Sequence, residues 1–261
     1  RIANRGRSMD TKPFLDAARE AAHSAAAIIN HYYRGQLDIE RKADSSPVTI
    51  ADVEAEKAIR TLLTSRFPDH GFYGEETGRS RDDSDYLWLV DPIDGTKSFI
   101  RHYPFFSTQI ALMHAGRIVV GVSSAPAFDE LAWAALNEGA WLDGERIRVS
   151  SVDALSRATV STGNIGTLAR SDRWLRWGQI VSSVDRIRGY GDFYHYHLLA
   201  SGRIDVVVES DVNILDIAAL SLIVEEAGGR FTDLDGAVVG LDTTSVLASN
   251  GPLHPAVQAA L

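Results

Sequence analysis

Residues 91–96, which read Asp-Pro-Ile-Asp-Gly-Thr, constrain the fold of this chain more than any other stretch. The preceding residues 86–90 are an apolar and partly aromatic run, which predicts a buried strand that delivers two carboxylates at its carboxyl end. Pro92 cannot donate to a sheet ladder, so the strand has to stop or reach a sheet edge there. Gly95 then permits a sharp turn and a close approach of the backbone to a ligand.

The oxygen atoms of this stretch favour a metal site. They are two carboxylates, a carbonyl and a hydroxyl, from Asp91, Asp94, Ile93 and Thr96. Such hard ligands suit Mg²⁺, which keeps several waters and commonly shares its shell with a phosphate. The alternative is that the two aspartates belong to an ordinary Asp-Gly turn.

Two further carboxylates, those of Glu75 and Glu76, lie just upstream. Together with Asp91 and Asp94 they make four carboxylates within twenty residues, which would repel one another unless a cation or bound protons intervened. A metal ion is the simpler explanation, so these residues weaken the interpretation as a plain turn.

The combination of Gly74-Glu75-Glu76 with Asp-Pro-Ile-Asp-Gly-Thr resembles the inositol monophosphatase-like family of Mg²⁺-dependent, often lithium-sensitive phosphatases. The resemblance runs from about Asp10 to the carboxyl end of the chain. Residues 94–99, Asp-Gly-Thr-Lys-Ser-Phe, and residues 190–194, Tyr-Gly-Asp-Phe-Tyr, are similar to the histidinol-phosphate phosphatase branch. The resemblance implies an α/β fold, the five-layer αβαβα sandwich of inositol monophosphatase and fructose-1,6-bisphosphatase. It also implies a homodimer.

The resemblance further implies a site for two to three Mg²⁺ ions. The first ion would be held by Glu75, Asp91 and the carbonyl of Ile93. The second would be held by Asp91, Asp94 and Asp216, and a weaker third would use Glu75 and Asp52. The catalytic residues that orient and deprotonate a water would be Glu75, Thr96 and Asp52. Phosphate would be bound by Gly95, Thr96 and Lys42, and the rest of the substrate by Asp94, Asp192, Glu209 and Arg188.

Each residue outside the central motif also has an ordinary structural interpretation. Asp52 and Asp216 suit the first turn of a helix, where the helix dipole favours an acid. Lys42 could be a solvated charge and Glu209 a polar residue at a strand end. Asp216 nevertheless stands in a strongly apolar run, and carboxylates are seldom buried there unless paired or bound to a cation. The family commonly has Trp just before this aspartate, and this chain has Leu215, which we interpret as repacking.

Asp192 bears on the substrate. Relatives specific for inositol tend to carry small or hydroxyl residues at this place, whereas a carboxylate favours a cationic substrate through charge-assisted hydrogen bonds. The alternative is that Asp192 caps a helix that begins near Phe193. His195 and His197 nearby resemble a metal pair, but their spacing directs them to different helix faces, which disfavours metal binding.

The hydrophobic pattern predicts how the chain is organised. Residues 1–9 are expected to be a tag remnant or a disordered tail. Residues 10–152 are predicted to hold two helices, one capped by Asp10 or Thr11 and one opened near Thr49, that cover an antiparallel sheet. Residues 153–261 are predicted to form an α/β half with strands at 158–162, 205–209, 231–233 and 246–249 and helices at 169–181, 194–200, 214–227 and after Pro252. The halves together are predicted to make one catalytic unit, with the site between them.

Composition excludes several classes of protein. A net charge of −9 argues against general affinity for nucleic acid. The sequence has no apolar run of about 18 residues, so no membrane span is expected. With no cysteine, neither a disulfide framework nor a thiolate metal site is possible, which fits a cytoplasmic location.

We therefore expect a Mg²⁺-dependent phosphomonoesterase acting on a small molecule. Among possible substrates histidinol phosphate ranks first, because of residues 97–99 and Asp192. Inositol phosphate ranks second, and nucleotide-type and sugar bisphosphates follow. A different class also stays open, namely a non-catalytic phosphate-binding protein on the same fold. The presence of every expected carboxylate argues against that class.

Overall fold

The computed structural model describes residues 9–35, 39–41, 47–81 and 83–261, of which 39–41, 47 and 48 are described by their backbone alone. These residues form five layers, in which helices and sheets alternate. The five-layer αβαβα sandwich that the resemblance implies is therefore confirmed. Residues 1–8 of the expected tail and the candidate phosphate ligand Lys42 lie outside the described residues.

The first layer is a helix pair, α1 (Lys12–Tyr33) and α2 (Ile50–Arg66). Pro13 stands in the first turn of α1, where its missing N–H costs nothing. A buried stripe of small side chains lets α1 lie close to its neighbours, and it consists of Ala17, Ala18, Ala21, Ala22 and Ala25. The start of α2 at Thr49 agrees with the prediction.

The second layer is the large sheet. In spatial order its strands are β10 (Glu145–Ile147), β9 (Gly139–Leu142), β8 (Glu130–Ala135), β7 (Arg117–Ala125), β6 (Ser107–His114), β5 (Tyr86–Asp94), β3 (Gly71–Gly74) and β4 (Gly78–Ser80). From β5 to β10 neighbouring strands are antiparallel and follow chain order, as the turn signals predict. β3 pairs with β5 in parallel. Two short strands, β1 (Ile39–Arg41) and β2 (Pro47–Thr49), pair separately.

The fourth layer is the small sheet, with the spatial order β12 (Arg186–Arg188), β11 (Thr159–Thr162), β13 (Val206–Ser210), β15 (Ser245–Ser249) and β14 (Arg230–Thr232). β11 is parallel to both of its neighbours, and β15 is antiparallel to both of its own. The large sheet uses residues 71–147 and the small sheet residues 159–249. The boundary near residue 152 between two halves stays a prediction.

The third layer, between the sheets, consists of α6 (Tyr194–Ala200) and α7 (Ile214–Glu226). α7 contacts β5 to β9 on one side and β14 and β15 on the other. Because both of its faces meet a sheet, it is apolar all round rather than amphipathic, and its residues 217–224 are buried. The polar residue Asn213 caps the start of the helix, and this end lies at the candidate site.

The fifth layer is made by α4 (Gly166–Ala169), α5 (Arg173–Ser183) and α8 (His254–Ala260). The predicted helix over 169–181 is present as α5 but begins later, at Arg173, because the chain turns between α4 and α5. The hydroxyl of Ser171 donates to the carbonyl of Leu168 at 2.8 Å and accepts from the amide of Arg173 at 3.3 Å. A serine that bonds local backbone in this way competes with helical pairing.

Across the part of the chain that the structure describes, no helix combines the length and the apolar character that crossing a membrane requires.

Candidate metal and substrate site

β5 delivers Asp91 and Asp94 because its regular pairing ends there. Its pairing with β3 reaches only to Val90, so Pro92 follows at an open edge on that side, as the missing N–H of proline demands. On the other side the register against β6 shifts between Asp91 and Asp94. The strand thus continues past Pro92 but is locally irregular, and such irregularities re-aim side chains beside functional sites.

α7 delivers Asp216 from the opposite side. Asn213 caps the helix, and Asp216 in the first turn completes a reciprocal capping box. The Asp216 carboxylate accepts from the backbone N–H and from the side-chain amide of Asn213, both at 2.8 Å. These bonds fix the orientation of the carboxylate. The predicted first-turn position is correct.

The three aspartates Asp91, Asp94 and Asp216 form an acidic cluster, with one carboxylate oxygen of each lying within 4.8 Å of the others. Burial, reinforced by the charge of Glu75, raises the pKa of Asp91 well above its ordinary value. Burial and the charge of Asp216 do the same to the pKa of Asp94, and burial raises the pKa of Asp216 to about 7. Such repulsion among oxygen ligands is what a hard divalent cation relieves, so the residues present fit Mg²⁺.

Glu75 lies beside this cluster at the end of β3. Its amide donates to the carbonyl of Val90 at 3.1 Å, which ties it to β5. Its carboxylate is exposed, yet its charge contributes to the raised pKa of Asp91, Asp94 and Asp216. The structure therefore brings Glu75 to the edge of the three-aspartate cluster.

Asp52 reaches the same region from the first turn of α2. Its Oδ2 accepts from the amide of Thr49 at 2.7 Å and from the hydroxyl of Thr49 at 2.6 Å. Burial raises the pKa of Asp52, the two bonds from Thr49 oppose that rise, and the charge of Glu75 adds to it. The hydroxyl of Thr96 donates to Asp52 Oδ1 at 3.3 Å and to the carbonyl of Ile93 at 3.0 Å, which joins the two elements.

Gly95 makes the turn that follows the cluster. Its φ of +85° is left-handed, and a Cβ atom at this position would stand 2.5 Å from the carbonyl oxygen of Phe105. Only glycine fits there without displacing backbone. The short helix α3 (Thr96–Phe99) begins immediately after it, and the first amides of a helix have no carbonyl partner within it. Backbone amides at the start of a helix are what the predicted phosphate binding by Gly95 and Thr96 requires.

A cleft opens next to the cluster, and its lining residues include Asp94, Asp216, Asp192, Glu209, Asn164 and Tyr196. Burial, together with the charge of Glu209, raises the pKa of Asp192 to about 6. Asp192 has a left-handed φ of +46°, and no side chain caps α6, which begins after Phe193. The alternative of Asp192 as a helix cap is therefore wrong.

Glu209 is held by three groups at the bottom of this cleft. Its Oε1 accepts from the amide of Asn164 at 2.9 Å, while its Oε2 accepts from the hydroxyl of Tyr196 at 2.7 Å and lies 3.2 Å from Nε2 of His195. Burial alone would raise the pKa of Glu209, but His195 and these hydrogen bonds lower it below its ordinary value. Glu209 therefore favours its charged form, unlike the aspartates around it.

The polar contacts of Arg188 and His197 lead to other parts of the molecule. Arg188 is an exposed residue of the edge strand β12, where its Nη1 donates to the carbonyl of Ile187 at 2.7 Å. No polar contact among the described residues joins it to the cluster, so its substrate role stays a prediction. His197 points away from His195, toward Glu130 and Ser123 at 3.0 and 2.8 Å. The two histidines thus serve separate hydrogen-bond networks.

The sequence reasoning missed several residues that support the site, namely Glu56, Asn164, Asn213, His195 in its role toward Glu209, and Tyr196. A signal existed for two of them. Glu56 stands four residues after Asp52 on one helix face, and Asn164 follows the carboxyl end of a parallel strand, where ligand sites concentrate. Tyr196 and His195 had none, because their partner comes from another element.

The chain is similar to known proteins over nearly its whole length. Residues 10–261 match the sequence model of the inositol monophosphatase family. The histidinol-phosphatase of Mycobacterium tuberculosis is 43% identical over 230 residues, which cover 85% of this chain and 88% of that protein. The inositol-1-monophosphatase of Caulobacter vibrioides is 34% identical over 250 residues, covering 93% and 97%. A solved structure of an inositol monophosphatase from Zymomonas mobilis has a TM-score of 0.87 at 34% identity, covering 97% of this chain and 99% of that chain.

Proposed function

Because the chain belongs to the inositol monophosphatase family, a family of metal-dependent phosphatases, we propose that it is a Mg²⁺-dependent phosphomonoesterase that prefers histidinol phosphate. The observation that carries the substrate proposal is the acidic cleft wall formed by Asp192 and Glu209 beside the three-aspartate cluster. Histidinol has a primary amine that is protonated at neutral pH and an imidazole that can be protonated or donate a hydrogen bond. Inositol offers only hydroxyls.

The metal ions would be held by Asp91, Asp94, Asp216, Glu75, Asp52 and the carbonyl of Ile93. When bound, Mg²⁺ supplies positive charge to the phosphoryl group and the leaving oxygen and favours loss of a proton from the attacking water. The amides of Gly95 and Thr96 would hold phosphate oxygens, with Lys42 as a further contact.

Asp52, Thr96 and Glu75 would position the water. Oδ2 of Asp52 accepts two hydrogen bonds from Thr49, whereas Oδ1 accepts a longer one, of 3.3 Å, from the Thr96 hydroxyl. Oδ1 would therefore have room to accept from the water as well, and Asp52 or Glu75 would take its proton as it attacks phosphorus in line. The bond from phosphorus to the alcohol oxygen then breaks, and no covalent phosphoenzyme is required.

The leaving alcohol would lie against Asp192 and Glu209. Glu209 already accepts two hydrogen bonds from the protein and lies against His195 Nε2, so Asp192 is the freer acceptor for an ammonium group. Asp94 would contact the substrate between these two ends, and Arg188 would act at the rim.

A panel of phosphomonoesters tests this proposal. Phosphate release would be measured from histidinol phosphate, inositol 1-phosphate, a nucleotide-type bisphosphate and a sugar bisphosphate, with Mg²⁺ and with EDTA. We expect kcat/KM to be highest for histidinol phosphate and activity to vanish in EDTA. Equal kcat/KM for inositol 1-phosphate would contradict the substrate proposal and leave the phosphatase proposal intact. Activity in EDTA would contradict the metal proposal.

Inositol phosphate is the second candidate substrate, supported by the 34% identity to an inositol-1-monophosphatase over nearly the whole chain. A phosphate-binding protein without catalysis is the candidate of a different class, and absence of turnover on the whole panel with Mg²⁺ would favour it. A homodimer, a cytoplasmic location and inhibition by Li⁺ complete the proposal. Titration of Li⁺ at fixed Mg²⁺ checks the inhibition. We expect Li⁺ to compete with the Mg²⁺ ion that Asp91, Asp94 and Asp216 would share.

A further inference from the structure

α2 presents three charged side chains on one face, each one turn after the last. They are Asp52, Glu56 and Arg60 at i, i+4 and i+8. Asp52 belongs to the proposed metal site. Glu56 does not, yet it is 0% exposed, and a carboxylate is almost never fully buried without partners that compensate its charge.

The partners of Glu56 all come from one turn of the chain, the residues between β3 and β4. Glu56 Oε2 accepts from the amide of Glu76 at 2.7 Å. Glu56 Oε1 accepts from the amide of Thr77 at 2.8 Å and from its hydroxyl at 2.5 Å. Nη1 of Arg60 donates to the same hydroxyl at 2.6 Å, which connects a positive charge to the network.

The turn is also shaped to admit this carboxylate. A Cβ atom at Gly74 would collide with the Glu56 carboxylate, so glycine is what allows the helix and the turn to approach. Glu75 and Thr77 are themselves exposed, so burial of their side chains does not hold the turn in place. Glu56 is the buried group to which the backbone on the carboxyl side of Glu75 is attached.

We propose that Glu56 is a positioning residue that fixes the turn so that the carboxylate of Glu75 stays beside Asp91 and can bind metal. The inference rests on the proposed function of the carboxylate cluster. The amide of Glu75 is bonded to Val90 on one side, and the amides of Glu76 and Thr77 are bonded to Glu56 on the other. Both ends of the short segment are thereby fixed, which pre-orders Glu75 before any ion arrives.

Direct metal binding tests this role. Metal-free protein would be titrated with Mg²⁺ in a calorimeter, and thermal unfolding of the same samples would be recorded. Glu56→Gln keeps the size of the side chain but sets an NH₂ group against backbone donors. We expect it to weaken Mg²⁺ binding by about tenfold, within the range that partners of metal ligands typically contribute.

Asp205→Asn is the matched control. Asp205 is also a buried carboxylate that accepts from a backbone amide, that of Thr159 at 2.7 Å, and from a hydroxyl, that of Ser150. It precedes β13, at the end of that strand opposite to Glu209. We expect it to lower the unfolding temperature as Glu56→Gln does but to leave Mg²⁺ affinity unchanged.

A milder variant covers the case in which Glu56→Gln does not fold. Thr77→Ala removes one of the three bonds to Glu56 at an exposed position, and we expect a loss of Mg²⁺ affinity of about threefold. Unchanged affinity in Glu56→Gln or, where that protein does not fold, in Thr77→Ala would overturn the positioning role alone. Equal weakening by Asp205→Asn would overturn it as well. A wild-type chain that binds no Mg²⁺ would overturn both this role and the proposed metal site.

Discussion

At the scale of single residues, Asp94 carries the most crowded charge in the site. The carboxylates of Asp216, Asp192 and Glu209 all raise its pKa, and its side chain is half-buried. We expect Asp94→Asn to lower phosphate release by roughly 10³-fold or more, because the change removes a metal ligand and with it stabilisation of the leaving group. Circular dichroism should be unchanged, since the variant relieves repulsion. Turnover close to wild type would contradict the assignment of Asp94 as a metal ligand.

A variant of Asp192 tests the proposed substrate preference separately from catalysis. Truncating one partner of a desolvated charged pair costs roughly 2–5 kcal/mol, so Asp192→Ala should lower kcat/KM for histidinol phosphate by roughly 30- to 3,000-fold. A small neutral phosphomonoester, which never uses the contact, should lose much less. Steady-state kinetics on both substrates is the measurement. Equal losses would remove the reason for preferring histidinol phosphate.

At the scale of elements, the turn at Gly95 joins β5 to α3 and holds the proposed phosphate amides. Gly95→Ala combines a strained left-handed φ with a contact of 2.5 Å to Phe105, so we expect a loss of roughly 3 kcal/mol of stability and about a hundredfold loss of activity. Gly116→Ala is the control, because Gly116 has a similar φ of +80° with no atom within 4 Å of an added Cβ. It should cost about 1–2 kcal/mol and no activity. Thermal unfolding and phosphate release measure both effects, and equal behaviour of the two variants would contradict the close-approach argument.

The elements also show what sequence can and cannot predict. The strand that carries Asp91, the helix opened by Thr49 and the helix that begins before Asp216 follow from local pattern and capping chemistry, and all three are present, although the strand runs on past Pro92 to Asp94. The break between α4 and α5 did not follow, because it depends on hydrogen bonds of Ser171 that an apolar period does not reveal.

The candidate site divides in the same way. Asp91 and Asp94 can be recognised from the sequence motif at residues 91–96, and Asp216 can be recognised as an acid in an apolar run. His195 and Tyr196 are not visible in their roles, because their partner Glu209 lies on a different element. Contacts between elements distant in sequence leave no periodic signal in either of them.

At the scale of the whole molecule, the acidic site should make stability depend on pH and metal. The pKa of Asp216 is raised to about 7 and that of Asp192 to about 6, both from 3.8. Between pH 3.8 and the raised values, the folded chain keeps protons that the unfolded chain has lost. The contribution of these two groups to the free energy of unfolding is therefore fully present below about pH 4 and is lost as the pH rises toward about 7. Without metal, we therefore expect the unfolding temperature to fall as the pH is raised from about 5 to about 8.

Mg²⁺ should reverse that loss. At a concentration one hundred times its Kd, a ligand that binds only the folded state adds about 2.7 kcal/mol, which raises Tm by roughly 5 to 10 °C for a chain of this size. Thermal unfolding in EDTA and in Mg²⁺ at both pH values measures the effect. Asp216→Asn is the control and should flatten the pH dependence in EDTA. If wild type in EDTA shows the same pH dependence as the variant, the proposed linkage is wrong.

The position of α7 has a consequence for how such an enzyme can change. Its apolar surface joins the two sheets, and its first turn carries Asp216, so a substitution along its length would perturb the packing and the proposed metal ligand together. Variation should therefore accumulate in α1, α4, α5 and α8, which carry none of the proposed site residues, and along the cleft wall, where substrate contacts can change without repacking the sheets. A library built to alter substrate preference would do best to leave α7 untouched and to randomise the residues around Asp192.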